Sequence, residues 1–299
     1  MANEVQIDAL LPPMMAVKAE EIGVRKAHMG GLTIFMLAVL AGAFIALGAI
    51  FATTVGAGSF VTSLADGATL STAAPTGMTR LMMGLVFSLG LILVVVGGAE
   101  LFTGNNLIVM AWAGRKVSTA LLLKNWAIVY AGNFVGAVAT AGIMFLSQQY
   151  TFSGGAIGLH ALTIANNKAG LHFVPALTLG IMCNALVCLA VWLTYSARST
   201  TDKILAIIFP IAAFIAAGFE HSVANMYYIP LALLIQWGAP ASFWGAIHKI
   251  PADFANLNLY NFFIGNLLPV TIGNIIGGAV MVGAVYWFIY LRHQRAAAK

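Results

Sequence analysis

Six apolar segments, each near or above the roughly 20 residues a helix needs to cross a bilayer's hydrocarbon, occupy most of this chain. They run from Leu32 to Thr54, Met78 to Trp112, Leu121 to Leu146, Phe173 to Tyr195, Ile204 to Trp237 and Leu259 to Leu291. A soluble fold is excluded by composition. Hydrophobic residues make up 61% of the 299 and charged residues only 8%, whereas a globular chain carries about a quarter charged residues. Mean hydropathy is +0.94. The expectation is an all-α integral membrane protein with six membrane-embedded helices. The first thirty residues lack a basic tip followed by an apolar run, so the first span is expected to act as its own insertion signal.

The net charge of +5 does not point to nucleic acid, because the basic residues fall in short clusters between the spans, where they act as topology signals. One side of the membrane receives Lys18, Arg25, Lys26, Arg115, Lys116, Lys124, Arg198, Lys203, Arg292, Arg295 and Lys299. The other receives Arg80, Lys168 and Lys249. Eleven against three places both termini in the cytoplasm. Three parts follow: residues 1–30, a cytoplasmic segment with a short interfacial helix starting at Pro12 and Pro13; residues 31–291, the membrane domain; and residues 292–299, a cytoplasmic tail. Residues 53–77 and 153–172, rich in Gly, Ser, Thr, Ala, His and Asn, read as external loops. Cys183 and Cys188 lie within a span and read as small core residues.

Ionisable groups inside a membrane are costly and mark function. The apolar segments hold two acids, Glu100 and Glu220, and their surroundings match. Gly97-Gly98-Ala99-Glu100-Leu101-Phe102-Thr103-Gly104-Asn105 aligns with Ala217-Gly218-Phe219-Glu220-His221-Ser222-Val223-Ala224-Asn225 at a glycine, the acid and the final asparagine. A second echo, Gly132-Asn133-Phe134-Val135-Gly136 against Gly273-Asn274-Ile275-Ile276-Gly277, falls one helix later in each half. Two three-helix halves are implied, and an odd number of spans per half inverts one copy relative to the other. Each acid lies within an overlong segment, where glycine and a capping asparagine predict a broken helix. The second half-helices are expected to begin near Asn105 and Asn225, aiming positive dipole ends at the midplane and favouring an anion there. A membrane-embedded enzyme using Glu100, Glu220 and His221 as acid, base or metal ligands is disfavoured. Metal sites of this kind draw on convergent histidines, and apart from His221 the histidines stand at 28, 160, 172, 248 and 293, in loops or at span ends. No metal or cofactor is expected.

The same residues resemble the formate/nitrite transporter family, and most closely its formate channels. Val95-Val96-Gly97-Gly98-Ala99-Glu100-Leu101-Phe102-Thr103-Gly104 is similar to the family's first signature. Gly180-Ile181-Met182-Cys183-Asn184-Ala185-Leu186-Val187-Cys188-Leu189-Ala190 is similar to its second, with Ala185 smaller than the residue usual there. Gly218-Phe219-Glu220-His221-Ser222-Val223-Ala224-Asn225-Met226 resembles the segment bearing the family's central histidine, and the likeness continues through Pro269-Val270-Thr271-Ile272-Gly273-Asn274. The resemblance implies an aquaporin-like fold with the second and fifth helices broken, assembled as a homopentamer with a pore in each protomer, in the bacterial cytoplasmic membrane. It places Thr103 and His221 across the pore centre, with Asn184 and Asn274 as nearby polar contacts. Phe87, Leu91, Leu101, Val187 and Phe214 become apolar constrictions. Glu220 orients the loop carrying His221, Glu100 is its counterpart in the first half, and Lys168 raises the local anion concentration. The implied substrate is formate, with nitrite or hydrosulfide as relatives' substrates. A pore for a neutral solute is the alternative that the fold alone would permit.

Overall fold

A computed structural model describes residues 9–58, 60–63, 69–72 and 75–292. Residues 293–299, which hold most of the expected C-terminal tail and with it Arg295 and Lys299, lie outside the described residues. Among the described residues six helices are long and apolar enough to cross a membrane: Gly31–Gly56, Thr76–Gly97, Thr119–Leu146, Phe173–Ser196, Thr200–Ala217 and Asn261–Tyr290. The second and fifth break as expected, each at a glycine in the left-handed region, Gly98 at φ 81° and Gly218 at φ 75°. The two breaks share one hydrogen-bond pattern. The Ala99 amide reaches back to the Val94 carbonyl and the Phe219 amide to that of Phe214, the six-residue closure that ends a helix on a left-handed glycine.

Beyond each break the chain becomes helical again three residues earlier than expected. Helix resumes at Phe102–Asn105, leading through Asn106–Ile108 into Val109–Ala113, and in the other half at Ser222–Gly238. Asn105 and Asn225 are therefore not caps. Their amides already bond to the carbonyls of Leu101 and His221, which frees their side chains for the acids behind them.

Irregular backbone at membrane depth persists only where its polar groups are satisfied by protein or water. Asn133 does this in the first half. Its Oδ1 accepts the Phe102 amide at 2.9 Å, while Nδ2 donates to the carbonyls of Ala38 at 2.8 Å and Glu100 at 2.9 Å. Asn274 repeats the set on the Ser222 amide at 2.9 Å and the carbonyls of Gly180 at 2.8 Å and Glu220 at 2.9 Å. The glycine three residues after each asparagine explains the rest of the echo. A Cβ at Gly136 would collide with the Val39 carbonyl, and one at Gly277 with the Ile181 carbonyl. Each asparagine thus sits on a helix that touches the backbone of the first span in its own half, close enough to reach the break.

Two expectations need correction. Residues 153–172 are largely helical, as Ala156–Ala169, because Ile157, Ala161, Leu162, Ala165 and Ala169 form an apolar stripe that is buried. Within 53–77 the first span extends to Gly56, and Phe60–Ser63 pairs antiparallel with Thr69–Thr72. The N-terminal helix runs from Pro12 to His28 and packs on the membrane domain. It buries Met15, Ala16, Ala19, Glu20, Gly23 and Ala27, and Glu20 pairs with Lys116. The final span carries two π-helical stretches, Asn261–Leu267 and Ile276–Ala284. Cys183 and Cys188 are buried and free.

Candidate functional site

The two breaks bring Thr103 and His221 together. Thr103 lies in the first turn of one half-helix and His221 is the N-cap of the other, and their side chains meet at 3.0 Å between Oγ1 and Nε2. Both are buried, at 0% and 2% exposure. The Ala224 amide donates to His221 Nδ1 at 3.1 Å, so in the neutral ring the proton resides on Nε2, where it is donated to Thr103 Oγ1. One ring thus caps a helix with one nitrogen and offers a donor with the other.

Apolar side chains close the passage on either side of this pair. Phe87 and Phe214 meet edge to face, centroids 5.5 Å apart, and Phe214 stacks on His221 at 6.0 Å. Two cavities end on this layer. The one beside Ala156–Ala169, termed outer as a label only, has 800 Å³ and reaches Phe214 and His221, and the one beside the N-terminal helix, termed inner, has 260 Å³ and reaches Leu91 and Leu101. Phe87, Thr103 and Val187 line neither cavity, and all three are buried. A solute moving from one cavity to the other would leave water at an apolar ring, meet the Thr103–His221 pair, and cross a second ring.

Each acid anchors a polar network, and the two networks share their main bonds; in the first Lys26 Nζ also donates to Asn105 Oδ1 at 2.9 Å, whereas Asn225 Oδ1 finds no such partner among the described residues. Glu100 pairs with Lys26 at 3.0 Å and accepts from Asn105 Nδ2 at 2.7 Å. Asn105 Nδ2 also donates to Asn125 Oδ1 at 2.9 Å, and Asn125 Nδ2 donates to the Lys26 carbonyl at 3.1 Å. Glu220 pairs with Lys168 at 2.7 Å and accepts from Asn225 Nδ2 at 2.7 Å. Asn225 Nδ2 donates to Asn266 Oδ1 at 2.7 Å, and Asn266 Nδ2 donates to the Lys168 carbonyl at 3.0 Å. A buried carboxylate is tolerated when charge and hydrogen bonds compensate it in this way. Lys26 and Glu100 line the inner cavity, and Lys168 and Glu220 the outer.

Lys26 is thus the counterpart of Lys168, and the N-terminal helix the counterpart of Ala156–Ala169. Sequence reasoning missed this, counting Lys26 only as a topology charge, and it also missed Asn105, Asn125, Asn225 and Asn266 as network members. The Lys26–Lys168 spacing nearly equals that between Asn133 and Asn274, so extending the repeat backwards from those asparagines would have exposed the pair.

The remaining expected residues fall close by without facing either cavity. Asn184 Nδ2 donates to the Asn274 carbonyl at 2.7 Å, to Asn106 Oδ1 at 3.2 Å and to the Thr103 carbonyl at 3.3 Å. Asn274 is spent on the backbone of its own half. Both hold the Thr103–His221 frame in position. Among the described residues no group of three or more His, Cys, Asp or Glu side chains could hold a metal.

Two inverted halves, twin broken helices and a polar pair between apolar rings define a membrane protein that passes a small solute through its own core. The chain belongs to the formate/nitrite transporter family, whose sequence profile matches residues 13–288. It is 46% identical over 294 residues to the formate channel FocA of Escherichia coli K12, covering 98% of this chain and 99% of that one. It is 40% identical to FocA of Haemophilus influenzae, covering 95% and 96%. A solved structure described as a pentameric formate channel with formate bound superposes with a TM-score of 0.79 at 45% identity, covering 88% of this chain and 98% of that one.

Proposed function

We infer that this protein is a membrane channel for formate and similarly small monovalent anions, responsive to pH through His221, and that it assembles as a pentamer. The observation that carries the reading is the Thr103–His221 pair at 3.0 Å, walled by apolar side chains and bounded by two lysine-bearing cavities. A carboxylate entering from either cavity passes a cation, then loses water at an apolar ring, and finds hydrogen-bond donors at this pair. The named relatives, which are formate channels, support formate over nitrite or hydrosulfide, and the pentamer rests on the solved relative. A membrane-embedded enzyme has no support among these channels.

The pore-lining roles of Thr103, His221, Phe87, Leu91, Leu101, Val187 and Phe214, with Asn184 and Asn274 framing them, belong to this proposal. So do the roles of Glu100, Glu220 and Lys168, the three-part division of the chain, and a bacterial cytoplasmic-membrane location with both termini in the cytoplasm. Radiolabelled formate flux into proteoliposomes under an imposed pH difference tests the substrate. Formate uptake well above that of empty liposomes is expected, and its absence in a folded, pentameric preparation would refute the reading. For orientation, a cysteine at Ser153 should label from outside intact cells and one at Gln294 should not.

A further inference from the structure

Among the described residues three buried side-chain polar atoms have no hydrogen-bond partner: His160 Nε2, Ser222 Oγ and Asn225 Oδ1. Of these residues His160 alone lines the outer cavity, and none lines the inner one. A buried nitrogen without a partner costs stability. His160 lies in Ala156–Ala169, and its Nε2 approaches the end of the first span at Gly56 and the second span at Met83. A methyl carbon built on Gly56 would stand 2.5 Å from His160 Nε2 and 2.6 Å from Met83 Sδ. The nitrogen and the sulfur therefore converge on one place beside the glycine. They lie no more than about 5 Å apart, a gap of the size that a metal spans with bonds of roughly 2.0 Å to nitrogen and 2.3 Å to sulfur.

The chemistry of this pair selects the ion. Met83 Sδ is a thioether, a soft and uncharged donor of the kind that favours copper(I). Burial lowers the His160 pKa below the ordinary histidine value. The ring is therefore neutral near neutral pH and, with its proton on Nδ1, presents a lone pair from Nε2. Zinc asks for a tetrahedral ligand set and calcium for a shell of oxygens. Neither is met here, because among the described residues Glu220 is the single acid lining this cavity, and Lys168, Asn225 and Asn266 engage it. Arg80 and Lys168 line the same cavity and repel a free cation, so only an ion held by coordinate bonds stays. Copper(I) and silver(I) are both satisfied by two neutral ligands standing nearly opposite each other.

We propose that His160 Nε2 and Met83 Sδ form a binding site for a soft monovalent metal ion, copper(I) or its congener silver(I), at the wall of the outer cavity. A bound ion occupies the orphaned nitrogen and ties the second span to Ala156–Ala169. The inner cavity is lined by no histidine or methionine, so the repeat does not duplicate the site.

The test is competition for copper(I) between the purified full-length protein and the chelator bicinchoninate, without oxygen and counted per protomer. The parent should hold one ion more than His160→Asn and one more than Met83→Leu. The double variant, His160→Asn/Met83→Leu, should lose no more than either single one, since both residues serve the same ion. Other thioethers and the two cysteines contribute equally to parent and variants, and cancel in the comparison. Gly56→Ala keeps both ligands but crowds the place where they converge, so its copper affinity should fall about tenfold. Copper(I) should also raise the Tm of the parent by more than that of either single variant. Equal copper counts in the parent and the single variants overturn the site, as do losses that add in the double variant or undiminished affinity in Gly56→Ala. If one single variant fails to assemble, the other and Gly56→Ala decide. The count is independent of formate flux, so a protein that conducts no formate refutes the channel reading and leaves this test intact.

Discussion

Replacing Lys26 by Met leaves Glu100 buried with its ion-pair partner gone and measures how far the inner network depends on the N-terminal helix. At the observed 3.0 Å, a unit-charge pair in an effective dielectric of about 20 gains roughly 5 kcal/mol. Removing one member of a buried pair typically costs about 3–5 kcal/mol, because the other charge remains desolvated. Two features reduce the figure here. The Lys26 side chain is 27% exposed, so water screens part of the attraction, and Asn105 still donates to Glu100 at 2.7 Å. The expected loss is therefore about 2–3 kcal/mol, read as a lower Tm of purified protein in detergent. Lys26→Met/Glu100→Gln should recover most of it, since the neutral amide no longer needs the ammonium. If Lys26→Met is as stable as the parent, or if the double variant is no better than the single one, the ion pair does not hold the helix to the pore and the argument fails.

Other perturbations probe the centre and the frame. Protonation of His221 must disrupt the bond that its Nδ1 accepts from Ala224, so His221→Asn, which keeps a capping acceptor without titrating, should flatten the pH profile of formate flux with folding intact; a profile like the parent's would make the histidine structural. Trimming Leu91 or Phe214 to Ala should open an apolar ring and admit larger anions, at a stability cost of about 3–5 kcal/mol for the phenylalanine; unchanged size selectivity in both variants would remove them from the pore. Gly277→Ala forces a methyl against the Ile181 carbonyl and should cost about 1–3 kcal/mol or more in thermal unfolding, whereas the same change at Gly142, where nothing lies within 4 Å, should cost little.

Much of this was legible in the chain because a membrane narrows the options. Span number follows from the length of apolar runs, and the breaks follow from a glycine beside an acid that hydrocarbon would otherwise reject. The paired motifs exposed the inversion for the same reason, since each copy must solve the same problem of unpaired backbone at depth. Tertiary structure decided what spacing along the chain does not encode. Asn105 and Asn225 read as caps, yet they serve as donors to Glu100 and Glu220, because the helix restarts three residues earlier, where Asn133 and Asn274 reach across from another helix to bind its first amide. Residues 153–172 read as a loop because Gly, His and Asn mask an apolar stripe made mostly of alanine, which becomes a buried face only where other helices cover it. Lys26 looked like any cytoplasmic basic residue, and only the packing of the N-terminal helix against the inner cavity carries its ammonium to Glu100. Local sequence fixes where a helix must stop, because that balance lies in a few adjacent residues. Which side chains then meet across the break depends on helices far apart in the chain, and their approach is set by close backbone contacts such as Gly136 against Val39 and Gly277 against Ile181.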